Sequence, residues 1–200
     1  MKVVLADYGG GNLRSLSSAL VRAGAEPVVT TDAALVEDAP LAMIAGVGHV
    51  GSAAAGLRRD GLDEALRARV AAGRPVAGVC VGMQLFFGAS EEGGRGLGLL
   101  EGTVPRLRAR RVPHMGWNTL ETSGPSQILD GLDGADVYFA HSYAALPADG
   151  SVVAATVDYD GMVVAAVEHG LLAGVQFHPE RSGAAGGRIL ENLLRWSRSA

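Results

Sequence analysis

The chain of 200 residues has a single cysteine, and this scarcity limits the classes of protein to which it can belong. A single cysteine excludes an internal disulfide and favours a reducing compartment, so we expect a cytoplasmic protein. No apolar run reaches the roughly 18 residues of a membrane span, so no membrane association is expected. No Cys/His cluster has the spacing of zinc ligands, so no metal is expected. The net charge of −4 argues against a nucleic-acid partner.

The composition is that of a globular domain, with 48% hydrophobic and 19% charged residues. A chain of this length forms a hydrophobic core without a disulfide or structural metal. Neither a linker nor an internal repeat divides it. We therefore expect a single domain over residues 1–200.

The order of apolar runs predicts an α/β fold. Continuous apolar runs at 3–6, 41–45 and 75–79 are typical of strands buried on both faces, and helical patterns separate them. Asp60 is a candidate N-cap for one such helix, through about Ala72. The pattern of the second half predicts strands at 137–140, 152–157, 162–167 and 171–177. A turn signal at 158–161 predicts an antiparallel hairpin there.

The only cysteine lies at the centre of Gly78-Val79-Cys80-Val81-Gly82, after an apolar strand and before a helix-forming stretch at 83–87. A sharp strand-to-helix turn exposes its apex side chain and directs backbone N–H groups towards what that side chain attacks. The flanking glycines give such a turn room. Cys80 is therefore a candidate nucleophile; the alternative is an inert core cysteine.

A second candidate pair stands near the C-terminus, in Gln176-Phe177-His178-Pro179-Glu180. In extended backbone, residues two apart point to the same side, so Glu180 is placed to orient the His178 imidazole as a base. The alternative is a surface His–Glu pair at a strand end.

Glycines follow the strand at 41–45, in Gly46-Val47-Gly48. They allow backbone N–H groups of Val47 and Gly48 to turn towards a substrate oxygen, and the N–H of Val81 would be the second oxyanion donor. An ordinary βα turn is the alternative.

The spacing of residues in two polar and aromatic stretches, at 113–118 and 138–143, does not indicate a function. From spacing alone we interpret Trp117 as a core residue and His141 as an interior histidine whose nitrogens are hydrogen-bonded. Arg106, Arg108, Arg110 and Arg111 read as a solvated strand face.

Taken together, these motifs resemble a known family. The segments at 79–84 and 175–180 resemble the triad motifs of class I glutamine amidotransferases. The segments at 7–15, 46–49, 113–118 and 138–143 narrow the resemblance to the glutaminase subunits of imidazole glycerol phosphate synthases. The resemblance implies a three-layer α/β fold, with a mostly parallel central sheet flanked by helices and an antiparallel portion in the C-terminal half.

The resemblance also implies a reaction without a cofactor. Cys80 would attack the carboxamide of glutamine, His178 would transfer protons, and Glu180 would orient His178. The released ammonia would enter a (β/α)8-barrel cyclase subunit, in a heterodimer that makes imidazole glycerol phosphate and aminoimidazole carboxamide ribotide in histidine biosynthesis. Substrate binding would involve Gly46, Gln84, Glu92, Ser142 and Tyr143, and the partner interface Asn12, Trp117, Tyr138 and Arg181.

The sequence departs from the family pattern at two positions. Ala45 stands where a proline usually precedes the Gly-Val-Gly segment, and Val50 where an aromatic residue commonly follows the histidine. Ala45 leaves φ free, so we expect higher basal glutaminase activity than in a proline-bearing relative. The alternatives to this assignment are a glutaminase subunit of another synthase, a stand-alone cysteine hydrolase of the same fold, and a non-catalytic binding module.

Overall fold

The computed structural model describes residues 1–199, which contain six α-helices and thirteen strands. The helices are α1 (Leu13–Arg22), α2 (Ala33–Asp38), α3 (Val50–Arg59), α4 (Leu62–Ala71), α5 (Val81–Gln84) and α6 (Gly183–Ser199). The strands are β1 (Lys2–Ala6), β2 (Glu26–Thr30), β3 (Leu41–Gly46), β4 (Val76–Cys80), β5 (Phe87–Ser90), β6 (Leu100–Val104), β7 (His114–Thr119), β8 (Glu121–Thr122), β9 (Asp136–His141), β10 (Leu146–Pro147), β11 (Val153–Asp158), β12 (Met162–His169) and β13 (Leu172–Val175).

The central sheet has eight strands in the order β2-β1-β3-β4-β13-β12-β11-β8. Neighbours from β2 to β13 pair in parallel, and neighbours beyond β13 pair antiparallel. β3 and β4 are buried along their whole length, as their continuous apolar sequences predict. The expected α/β class is confirmed, as is the antiparallel hairpin of β11 and β12.

The strand order also explains why helices cover both faces of the central sheet. The chain passes from β1 to β2 in one direction and returns past β1 to β3, so right-handed crossovers place α1 and α2 on opposite faces of the sheet. Contacts agree with this, since α1 meets α6 while α2 and α3 meet α4. The carboxyl ends of β3, β4 and β13 lie side by side, which is where open α/β sheets bind ligands.

Two predicted details are wrong. Asp60 does not cap α4, because α4 follows Gly61, a left-handed residue with φ 69°, and Asp60 instead ends α3 and pairs with Arg59. The arginine stretch at 106–111 is not a strand, because beyond an isolated bridge between Arg106 and Tyr143 it has no ladder partner within residues 1–199.

Candidate active site

Cys80 is the last residue of β4 and the apex of a sharp turn into α5. Its backbone has φ 54° and ψ −110°, a conformation that residues with a side chain rarely adopt. The two glycines of the motif are needed for close packing. A Cβ on Gly82 would lie 1.9 Å from the carbonyl oxygen of Ile44, and one on Gly78 would lie 2.6 Å from the nitrogen of Met83. The predicted elbow is therefore present, but the cysteine at its apex is buried and not exposed as expected. The following helix is also shorter than expected, because α5 ends at Gln84 and Phe87 begins β5.

His178 and Glu180 form a buried pair just beyond β13. His178 Nδ1 lies 3.0 Å from Glu180 Oε1. The predicted contact is present, but the backbone is not extended, since Pro179–Arg181 forms a turn of 3-10 helix. Pro179 favours this turn because its fixed φ suits the first helical position.

The second ring nitrogen of His178, Nε2, is buried and has no hydrogen bond of normal geometry to any part of residues 1–199. Burial lowers the pKa of His178, whereas Cys80 and then Glu180 raise it, and the net effect is a rise. Cys80 and His178 follow neighbouring parallel strands, since Val79 pairs with Val175 in the β4–β13 register. The pair favours a protonated imidazole beside the sulfur.

The end of β3 lies next to Cys80. Gly46 pairs with Cys80 in the β3–β4 register. Gly48 has φ 101°, and Val47 is half exposed. The glycine-rich loop after β1 packs against this end of β3, because a Cβ on Gly11 would lie 2.7 Å from the Cα of Gly46.

An open cavity of about 260 Å³ lies above Cys80. It collects most of the residues that the sequence assigns to the oxyanion hole and substrate binding, namely Val47, Gly48, Val81, Gln84, Glu92, Ser142 and Tyr143. Gly46 instead lines a neighbouring crevice with His178, Glu180 and Asn12. The volume suits a ligand of amino-acid size.

Glu92 lies in this cavity with its carboxylate already engaged. Oε1 is 3.1 Å from His49 Nδ1, and Oε2 accepts a hydrogen bond from the backbone N–H of Val50, the first residue of α3. Glu92 therefore also caps α3, a contact the sequence analysis did not anticipate.

Gln176 is the first residue of the motif at 176–180, and the sequence alone predicts no function for it. Its Nε2 lies 3.5 Å from Cys80 Sγ, and its side chain is fully buried. The signal was its position in the same short motif, two residues before His178.

The four residues assigned to a partner interface lie at the surface or partly buried. Trp117 is 58% exposed, so its interpretation as a core residue is wrong. Its ring meets Tyr138 edge-on across β7 and β9, and the Arg181 guanidinium lies 4.1 Å from the Tyr138 ring centroid. Asn12 caps α1 by accepting the N–H of Ser15 and lines the crevice that contains His178 and Glu180.

Within residues 1–199, no three Cys, His, Asp or Glu side chains are grouped as metal ligands. None of the helices that the structure describes is long and apolar enough to cross a membrane.

A strained cysteine beside a buried imidazole–carboxylate pair, at the carboxyl edge of a parallel sheet, is the arrangement of α/β enzymes with a cysteine nucleophile. Comparisons with known proteins make the assignment specific. The family model "Glutamine amidotransferase class-I" matches residues 4–195. Imidazole glycerol phosphate synthase subunit HisH of Mycobacterium bovis is 48% identical, with 96% of each chain covered. The HisH subunit of Geobacillus kaustophilus is 45% identical, covering 94% of this chain and 93% of its own.

Solved structures share the fold. A glutamine amidotransferase crystal structure superposes with a TM-score of 0.80 at 22% identity, covering 98% of both chains. PurLQS from Thermotoga maritima superposes with a TM-score of 0.76 at 18% identity, again over 98% of both chains. The chain belongs to the class I glutamine amidotransferase family and, within it, to the HisH subunits of imidazole glycerol phosphate synthase.

Proposed function

We propose that Cys80, His178 and Glu180 hydrolyse glutamine and that the ammonia is passed to a cyclase subunit for histidine biosynthesis. The observation that carries this proposal is the buried His178–Glu180 pair beside a cysteine held in a strained backbone. An amide requires a strong nucleophile and an acid for its leaving nitrogen, and a thiolate–imidazolium pair supplies both. The raised pKa of His178 favours the protonated ring that this step requires.

In this mechanism Cys80 Sγ bonds to the carboxamide carbon, and His178 protonates the departing ammonia. Water then cleaves the thioester, with His178 as base, and releases glutamate. Glu180 keeps the imidazole in place through Nδ1, so that Nε2 faces the reacting atoms.

The oxyanion would be held by the N–H of Val81 and by N–H groups at the end of β3, in Val47 and Gly48. Gly46 pairs with Cys80, which places the end of β3 beside the thiol. Losing one such donor costs about 2.7–4 kcal/mol of transition-state stabilisation. A turn of one peptide in this glycine-rich segment is therefore enough to switch activity on or off.

The cavity above Cys80 is the proposed glutamine site. Gln84, Glu92 and the backbone of Ser142 and Tyr143 would hold the amino acid end of glutamine, and Gly46 would lie behind it. Glu92 suits the ammonium group, because a carboxylate at the rim attracts a cation.

The proposed partner is a (β/α)8-barrel cyclase that docks on Trp117, Tyr138, Arg181 and Asn12. An exposed tryptophan beside an arginine–aromatic pair is typical of interface anchors. The interface is linked to the site, because the N–H of His178 donates to the Tyr138 carbonyl at 2.9 Å. We further propose that residues 1–200 form one amidotransferase domain that acts in the cytoplasm.

Glutamate release, measured with and without the cyclase subunit and its nucleotide ligand, tests the proposal. We expect strong stimulation by the partner, and loss of turnover in Cys80→Ala and His178→Asn. His169→Asn alters an exposed histidine at the end of β12 and is the matched control. Equal turnover with and without the partner would favour a stand-alone hydrolase, and full turnover in Cys80→Ala would remove the mechanism.

A further inference from the structure

A continuous hydrogen-bonded network joins the β7–β9 ribbon to the nucleophile. His114 and His141 face each other in the β7–β9 register, and His114 Nδ1 lies 3.1 Å from His141 Nε2. His141 Nδ1 lies 2.9 Å from the carbonyl oxygen of Tyr143. Both imidazoles are buried, so neither nitrogen exchanges its protein partner for solvent at low cost.

The carbonyl of Tyr143 fixes the tautomer of each ring. A carbonyl only accepts, so His141 must carry its proton on Nδ1 and accept on Nε2. His114 must then donate from Nδ1, which leaves its Nε2 to accept from Asn118 Nδ2 at 3.5 Å. The hydrogen bonds therefore run in one direction: Asn118 donates to His114, His114 donates to His141, and His141 donates to the Tyr143 carbonyl.

The same carbonyl fixes two amides on the side of the nucleophile. Gln84 Nε2 donates to the Tyr143 carbonyl at 2.8 Å and to Gln176 Oε1 at 3.0 Å. Both N–H bonds of Gln84 are thereby used, and Gln176 must present its oxygen to Gln84. The Nε2 of Gln176 is then directed at Cys80 Sγ, 3.5 Å away.

We propose that His141 and His114 are positioning residues of the thiol. The N–H of His114 keeps His141 in its donating tautomer, and the N–H of His141 holds the Tyr143 carbonyl, which through Gln84 keeps a Gln176 N–H aimed at Cys80 Sγ. A hydrogen bond donated to a charged group stabilises its charged form, so this N–H favours the thiolate. The role in turnover rests on the proposed glutaminase function, whereas the effect on the thiol does not.

The surroundings keep both rings neutral, as the network requires. His114 stacks against Phe139 and Tyr159, with ring centroids 4.5 and 3.9 Å away. Burial lowers the pKa of His114 to about 4. Burial also lowers the pKa of His141 to about 4; the Tyr143 carbonyl opposes that shift, and His114 and His178 add to it.

Nitrogen-15 NMR of the imidazoles in the full chain tests the tautomers directly. We expect His114 and His141 to be neutral at pH 7 with the proton on Nδ1, the less common form of free histidine. A proton on Nε2 of either ring would overturn the network. This measurement needs no variant that alters the fold.

Alkylation of Cys80 by iodoacetamide tests the effect on the thiol, and the single cysteine makes the signal specific. The amide of His141→Gln replaces Nε2 and loses the donor to Tyr143, whereas that of His141→Asn replaces Nδ1 and keeps it. We expect the rate of alkylation at pH 7 to fall about tenfold in His141→Gln and in Gln176→Leu, because the sulfur loses a donated hydrogen bond that stabilises the reactive thiolate. His141→Asn and the surface control His169→Asn should stay close to wild type.

An unchanged alkylation rate in a folded His141→Gln variant would overturn the proposal. Alkylation requires neither glutamine nor the cyclase. Slower alkylation in these variants, with no glutamate released by the wild type and its partner, would therefore refute the proposed function alone. Glutamate release by the wild type, with unchanged alkylation rates in the variants, would refute the positioning role alone.

Discussion

The phenol of Tyr8 occupies the space that a side chain at Gly46 would need. The Tyr8 hydroxyl oxygen lies 1.3 Å from where a Cβ on Gly46 would be. The hydroxyl is buried and has no hydrogen-bond partner among residues 1–199, and burial, Cys80 and Asp7 raise the pKa of Tyr8. β3, which ends beside Cys80, is therefore held in place by an aromatic ring from the loop after β1.

Gly46→Ala is expected to destabilise the protein by about 1–3 kcal/mol, because the new methyl group collides with the phenol. Urea denaturation measures this change. Combining it with Tyr8→Leu should restore part of the loss, since the smaller side chain leaves room. Gly88→Ala is the control, because a Cβ there meets no atom within 4 Å. Additive effects of the two substitutions would contradict the contact.

Replacing the strained cysteine should reveal the cost of its backbone. Cys80→Gly is expected to be about 1 kcal/mol more stable than Cys80→Ala, because glycine adopts φ 54° without strain. In the same strand Ala77→Gly should be destabilising. Chemical denaturation of Cys80→Gly, Cys80→Ala and Ala77→Gly measures these differences. A Cys80→Gly variant less stable than Cys80→Ala would contradict the prediction.

Ala45→Pro is expected to lower glutamine turnover without the partner, because proline fixes φ just before the oxyanion segment. Turnover with the cyclase and its ligand should change less. The measurement is glutamate release in both conditions, after equal melting temperatures have shown that β3 is intact. Unchanged partner-free turnover would refute the hypothesis that Ala45 loosens this segment.

Stability should fall as the pH drops from about 6.5 towards 4. Burial holds the pKa values of His114 and His141 at about 4, whereas the unfolded chain binds protons on these residues below about 6.5. The raised pKa of His178 acts in the opposite sense, since its contribution is present at acid pH and lost as the pH rises through the raised value. Urea denaturation between pH 7 and 4.5 tests this. His141→Asn should flatten the slope, and an identical slope would contradict the assignment.

Trp117 should report docking of the cyclase by fluorescence. It is 58% exposed, whereas Trp196, the other tryptophan, is buried. Burial in an interface should shift its emission to shorter wavelength, and Trp117→Ala should weaken binding by about 2 kcal/mol or more. Met162→Ala, which trims an exposed apolar residue elsewhere, is the control. Unaltered emission at saturating partner would exclude Trp117 from the interface.

The parallel strands were predictable because strands buried on both faces have continuous apolar sequences, as at Leu41–Gly46 and Val76–Cys80. α3 was not predicted, because Gly51 and Gly56 give its sequence a low helix propensity. The arginines at 106–111 alternate like a strand, yet strand structure also requires a neighbouring ladder, which no local pattern specifies.

Sequence alone determined the elbow around Cys80, the His178–Glu180 pair and the family, because each depends on residues close together in the chain. Only the tertiary structure decided the exposure of Trp117, the Tyr8–Gly46 contact and the path from His114 to Cys80. Those features join residues from separate strands, and their distances and tautomers are set by packing and by which atoms can donate a proton.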